Sequence, residues 1–310
     1  MANKKTELGQ FFTVNPLWLK DPFYSGEKIQ HPGYFNMLGT MISKKNIIPF
    51  QNDIVQIIDG LGVDRNRIKI DVSSKDDVLV KEFRDYYKVE YDTRKESSYS
   101  WTYGMGDNIF GRGLTFYVRQ DDGSYKRIGN YIIIYDDKEP IAAEYGVGIE
   151  VLLARKDQYK NEYDAFSIAP ILRNNGLDTN FSNTHIFSSV GAAYSTGMSL
   201  EQYPTKNYKK ILNKFISNLL ILKMKDNLQD EQMYEIIKSF LIVEFGKENS
   251  LNAIKHDLAT KTEELKVETS KANDFIKNQK HLGKDDLFIS QKLIQMYPFY
   301  TYSQNILNNR

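Results

Sequence analysis

The chain has 310 residues, 41% of them hydrophobic, which is enough apolar material for one large domain or two smaller ones. Its formal net charge is +1, so no global field draws it to nucleic acid or membrane. It has no cysteine, which excludes disulfides, thiolate catalysis and cysteine-ligated zinc.

The four histidines, His31, His185, His256 and His281, lie far apart and show no metal-ligand spacing. No apolar run is long enough to span a bilayer and no signal peptide opens the chain, so a cytoplasmic protein with no membrane partner is expected.

Residues 1–28 are mixed, with turns at Asn15-Pro16 and Asp21-Pro22. Ile29 to Ser43 predicts a strand, a loop and a returning strand. Ile54, Ile57, Ile58 and Leu61 have helical spacing, and Gly62 ends that helix. Arg67 to Val72 alternates as a half-buried strand. Ser74 or Asp76 can cap a following helix through Val78, Val80, Phe83 and Tyr86-Tyr87. Tyr99, Trp101 and Tyr103 alternate as a strand. Leu114 to Arg119 is another, Asp121 to Ser124 a hairpin turn, and Tyr131 to Tyr135 a strand buried on both faces.

Pro140 to Arg155 reads as a strand running into a tight turn at Gly146 and Gly148, then a helix with Ile149, Leu152 and Leu153 on one face. Glycines there allow a ligand or another backbone to come close, because no Cβ intervenes. The same pattern also fits a plain turn between two core elements.

Asn174 to Phe181 is polar and turn-rich, which sets a domain boundary after residue 175. The second domain, 176–310, is mainly helical. Helices are predicted from Thr184 to Tyr194, from Asn207 to Leu222 with lysines outward, and from Gln229 to Phe245 before Gly246. A long helix follows from Ser250 to Leu282 and a last one to about Met296. Tyr297 to Tyr302 is expected to dock by its rings. Short strands with helices between them predict an α+β plan, an antiparallel sheet flanked by helices.

Several strings in the first domain resemble class II aminoacyl-tRNA synthetases, most closely alanyl-tRNA synthetase. Glu144-Tyr-Gly-Val-Gly-Ile-Glu-Val-Leu152 resembles that family's motif 3, Asp-Thr-Gly-Met-Gly-Leu-Glu-Arg-Leu. Lys160-Asn-Glu-Tyr-Asp-Ala-Phe166 resembles its Ser-Asn-Tyr-Asp-Thr-Asp-Leu-Phe. His31-Pro-Gly-Tyr-Phe-Asn-Met-Leu-Gly39 is similar to its motif 2. Gly104-Met-Gly-Asp107 and Gly129-Asn-Tyr-Ile-Ile133 resemble two further strings, all in the family's order between about Gln30 and Lys214.

The resemblance implies a class II antiparallel sheet over residues 1–175 and a tRNA-recognition helical domain over 176–310. It implies amino-acid contacts from Glu144, Asn130, Ile132 and Trp101. ATP contacts would come from Gln30, His31, Asn36, Met37, Gly146 and Gly148, and tRNA contacts from Lys206, Lys209, Lys210 and Lys214. A strand-end amide at Asn130, a core isoleucine at Ile132 and a solvated lysine face are the structural alternatives. No catalytic side chain and no metal ligand is assigned.

The departures are two arginines. The family's phosphate-binding arginines of motifs 2 and 3 align with Gln30 and Val151, and neither residue makes the paired bonds a guanidinium makes to phosphate. Two functions are therefore expected to compete. In one, the chain binds a small amino acid and ATP with Mg²⁺, forms an aminoacyl adenylate and passes it to tRNA or a carrier-type acceptor. In the other, it is a catalytically degenerate paralogue that binds tRNA, an amino acid or a protein. Leu8-Gly-Gln-Phe-Phe-Thr13 also resembles the opening of some adenine-specific DNA methyltransferases, but their Asn-Pro-Pro-Tyr motif and glycine-rich cofactor loop do not follow.

Overall fold

The computed structural model describes residues 9–12, 32–92, 99–102, 108–203, 205–248 and 250–308. Two compact units share the chain. One takes residues 1–13 and 35–165, the other 14–34 and 166–310.

The first unit is built on a sheet. Its elements are β1 (Gly9–Phe12), β2 (Asn36–Ser43), α1 (Ile47–Gly60), β3 (Ile68–Ser73), β4 (Lys88–Asp92), β5 (Ser100–Thr102), β6 (Ile109–Arg119), β7 (Tyr125–Asp136), β8 (Glu139–Gly148) and α2 (Ile149–Lys156). The strand order is β1-β2-β8-β7-β6-β3-β4, and β5 pairs with β6 beyond the end of β3. Every pairing is antiparallel except β3 with β4.

One face of this sheet is the hydrophobic core. Ile70, Leu114, Phe116, Tyr131, Ile133, Tyr145 and Val147 are buried in one cluster with Phe50, Ile54, Val55 and Ile58 of α1. Burying each such side chain contributes roughly 1.5–3 kcal/mol. Spacings of three and four residues put one stripe of α1 on the strands. The tetrad Tyr131 to Ile134 is buried on both faces, as its unbroken apolar run predicts.

Three local expectations change. The helix predicted after Ser74 is two short 3₁₀ turns, Asp77–Val80 and Phe83–Asp85. Leu79, Val80 and Phe83 are all fully buried there, too close in sequence for one helix face, and the buried Gln51 of α1 accepts from Glu82 N at 3.1 Å. Asp76, the expected cap, instead receives Arg112 Nε at 3.0 Å. In the stretch expected to form a hairpin, the described part holds one strand, β2, and its outer neighbour is β1 from the Gly-Gln-Phe-Phe string.

The second unit is helical: α3 (Ala169–Asn174), α4 (Phe181–Ser195), α5 (Lys206–Asp226), α6 (Asp230–Phe245), α7 (Leu251–His281), α8 (Asp286–Met296) and α9 (Pro298–Asn308). Side-chain caps open three of them. Asn180 accepts from Asn183 N, Thr205 from Tyr208 N and Asp285 from Phe288 N. Asn227 and Gly246 close α5 and α6 in the left-handed conformation.

Helix α4 is the centre of this unit, and every residue from Asn183 to Ser195 is buried. Gly191 lets α6 approach it: a Cβ there would stand 2.5 Å from the Phe240 ring. The units divide after Ala165 rather than at 175, because α3 packs with α6 and Gln232 Nε2 donates to Asn175 O at 2.6 Å. The expected docking tail is α9, although Tyr297 does set its ring 6.0 Å from that of Phe275. Among the described residues no helix is long and apolar enough to cross a membrane.

Candidate functional site

The sheet's second face collects most of the residues singled out in the first unit. Residues opposite one another on paired strands point to the same side. Glu144 on β8 stands opposite Met41 of β2 and Ile132 of β7, and Ile132 stands opposite Gly113 of β6. The next row runs Gly39, Gly146, Asn130, Thr115 and Asp71 across five strands. Beyond it Met37 faces Gly148. Trp101 of β5 joins this face opposite Gly111.

Gly146 and Gly148 do not make a turn. Both are extended strand residues, and the chain passes from Gly148 (φ −73°) directly into α2. Their missing side chains leave bare backbone on the ligand side of β8. Met37 Sδ is the nearest atom to a Cβ built on Gly146, at 3.7 Å. At Gly148 the nearest are Phe35 at 3.4 Å and Val151 at 3.5 Å.

Gly113 has the opposite character. A Cβ there would lie 2.6 Å from Tyr131 O, 2.8 Å from Ile132 Cγ1 and 2.9 Å from Trp101 Cζ3. Trp101 thus rests on the strand beside Ile132 and walls the face. Thr115 Oγ1 donates to Asn130 Oδ1 at 3.1 Å, which orients the carboxamide with its NH₂ left to donate. A carboxylate, an oriented amide and an apolar wall of Ile132, Trp101 and Met41 around bare glycine backbone can hold an amine on a small apolar carbon frame.

Some expected contacts fall elsewhere. Asn36 is not on this face, because strand alternation turns it away from Met37. Its backbone N–H donates to Glu150 at 2.9 and 3.0 Å and its Nδ2 at 2.7 Å. Glu150 is buried on α2, while Leu153, expected inside, is exposed. Gln30, His31 and the Gly104–Asp107 string lie outside the described residues.

Arg112 is paired with Asp76, and Arg155 is buried near Glu162. Of the lysines on α5, Lys206 and Lys210 are exposed, and Lys209 sits 4.9 Å from the centre of the Tyr203 ring. Lys214 is half-buried, and its charge acts on His185 inside the helical unit, so it does not share their open face.

Thr115 and Arg127 were not foreseen as part of this face. Arg127 stands opposite Tyr117, on the side of Thr115 and Asn130. A bulge between Phe116 and Tyr117 inserts Ile128 into β7 and sends it to the core, which reverses the alternation that strand parity alone assigns to Arg127. No protein-family model and no curated protein matches the chain.

Proposed function

We propose that this protein binds a small amino acid together with ATP on the glycine-bearing face of the sheet, in the manner of the class II synthetases it resembles. The observation that carries the reading is the pairing of β2 with β8, which sets Met41 beside Glu144, Gly39 beside Gly146 and Met37 beside Gly148. Two strings more than 100 residues apart in the sequence, each likened to the same family, are direct neighbours in register.

Glu144 takes the substrate ammonium and Asn130 the carboxylate side. Ile132 and Trp101 limit the side chain to a small one. The adenine ring lies over Gly146 and Gly148, against Met37. Held in that geometry, carboxylate and α-phosphate are positioned to form an aminoacyl adenylate, which requires alignment and charge neutralisation more than covalent help. Among the described residues no cluster of three carboxylates or histidines is placed to hold a metal, so Mg²⁺ would arrive on the nucleotide phosphates. Lys206 and Lys210, exposed one turn apart on α5, would meet the phosphates of a tRNA acceptor.

Amino-acid-dependent ATP–pyrophosphate exchange, run with each amino acid in turn, tests this reading. Exchange is expected with glycine or alanine and is expected to fall at least 100-fold in Glu144→Gln, since a lost charge-assisted bond is worth about 3 kcal/mol. The missing cations at Gln30 and Val151 favour a second reading, binding without activation. Amino-acid binding with no exchange would select it, and binding of neither ligand would end both.

A further inference from the structure

The end of the sheet where β7 begins carries more positive than negative charge. Lys126 and Arg127 are consecutive on β7, and Arg155 comes from the last turn of α2. One carboxylate, Glu162, serves two of these three cations. Lys126 pairs with its Oε1, and Arg155 Nη2 stands 3.5 Å from its Oε2.

The Arg155 side chain is only 8% exposed, and its Nε has no hydrogen-bond partner among the described residues. Arg127 is exposed and makes no ion pair with any described residue. Burial lowers the pKa of Arg155. The Glu162 charge opposes that shift and the nearby Arg127 charge adds to it, so the two guanidiniums feel each other.

Capping of α2 does not account for them. Its last carbonyls are already taken: Arg155 O accepts from Gln120 Nε2 at 3.1 Å, and Lys156 O from Arg67 Nη1 at 3.3 Å. Two guanidiniums short of acceptors beside each other form a receptor for a tetrahedral oxyanion, which can accept paired bonds from both.

We infer that Arg127 and Arg155 form a phosphoryl-binding site at the end of the glycine-bearing face. Arg155 lies one helical turn beyond Val151, and the bulge at Ile128 turns Arg127 toward the same face as Thr115 and Asn130. The site therefore supplies cations that positions 30 and 151 lack, and to that extent it rests on the function proposed above. The phosphoryl group is either that of a nucleotide or a free phosphate or pyrophosphate.

Calorimetric titration of the full chain with inorganic pyrophosphate, and separately with Mg–ATP, distinguishes these. Wild type is expected to bind pyrophosphate. Arg127→Gln should weaken it about tenfold or more, Arg127→Lys less, and Glu162→Gln should tighten it, because the competing carboxylate is gone. Thermal melts of each variant establish that it is folded.

If both Arg127→Gln and Glu162→Gln bind pyrophosphate like wild type, the inference is overturned, whatever ATP does. If wild type takes pyrophosphate but not ATP, the anion site stands and the nucleotide reading falls. If Mg–ATP binds wild type and Arg127→Gln equally, the nucleotide reading stands and this inference falls. Binding of neither probe removes both.

Discussion

His185 has the most constrained environment of any titratable side chain in the helical unit. It is fully buried on α4, stacked on Phe181 at 5.2 Å, and its Nδ1 accepts from Gly33 N at 2.7 Å. An Nδ1 that accepts must carry no proton, so the neutral ring keeps its hydrogen on Nε2. Protonation would set one N–H against another. Burial, with the charge of Lys214 behind it, holds the pKa down at about 4.

Unfolded histidine titrates near 6.5, so between about 6.5 and 4 the unfolded chain holds a proton that the folded chain does not. This contribution is fully present above about pH 6.5. Stability is expected to fall by about 3 kcal/mol as the pH drops through that window. Urea unfolding at a series of pH values should show the slope, and His185→Asn should flatten it.

At the scale of elements, the junction of β8 and α2 depends on one contact. Glu150 accepts three hydrogen bonds from Asn36, which ties the first turn of α2 to the start of β2. Its negative charge also suits the helix N-terminus. Glu150→Ala leaves the Asn36 amide without its acceptor and is expected to cost about 2–4 kcal/mol in denaturant unfolding, with Glu150→Gln costing less.

The sequence conveyed part of this junction. Period-two and period-four patterns placed α1, β3, β6, β7 and the long helices, because one buried face writes itself into apolar spacing. They placed a glycine turn where there is none. Gly-x-Gly has the same composition whether it bends a chain or leaves one face of a strand bare, and the left-handed φ that would separate the two cases is not visible in the letters. Arg127 was missed for a related reason. A bulge adds one residue to one strand and inverts every side chain beyond it, and nothing in Lys126-Arg-Ile-Gly-Asn130 announces the insertion. The side-by-side register of β2 and β8 is a long-range pairing, which local pattern cannot supply.

For the molecule as a whole, the helical unit draws on residues that precede most of the sheet in the chain. Tyr34 is buried against Phe240 and Phe245, with ring centres 5.9 and 5.5 Å away, and its hydroxyl donates to Glu244 Oε1 at 2.7 Å. Tyr34→Phe keeps the ring and removes the bond, at an expected cost of about 1–2 kcal/mol. Hydrogen exchange should place that loss in α4 and α6 and leave the amides of β6 and β7 as protected as before. Equal loss in both units would show instead that they open together.

This interleaving bears on how the protein is made. Gly33 and Tyr34 are synthesised early, but their partners His185 and Glu244 follow 152 and 210 residues later. At ribosomal speeds of about 5–20 residues per second, Tyr34 waits roughly 10–40 s for its acceptor. The sheet unit's residues through Ala165 all emerge within that interval, so the nascent chain can complete its strands while an apolar tyrosine upstream still has nowhere to go. A ribosome stalled before codon 244 would hold a finished sheet beside an unsealed helical core.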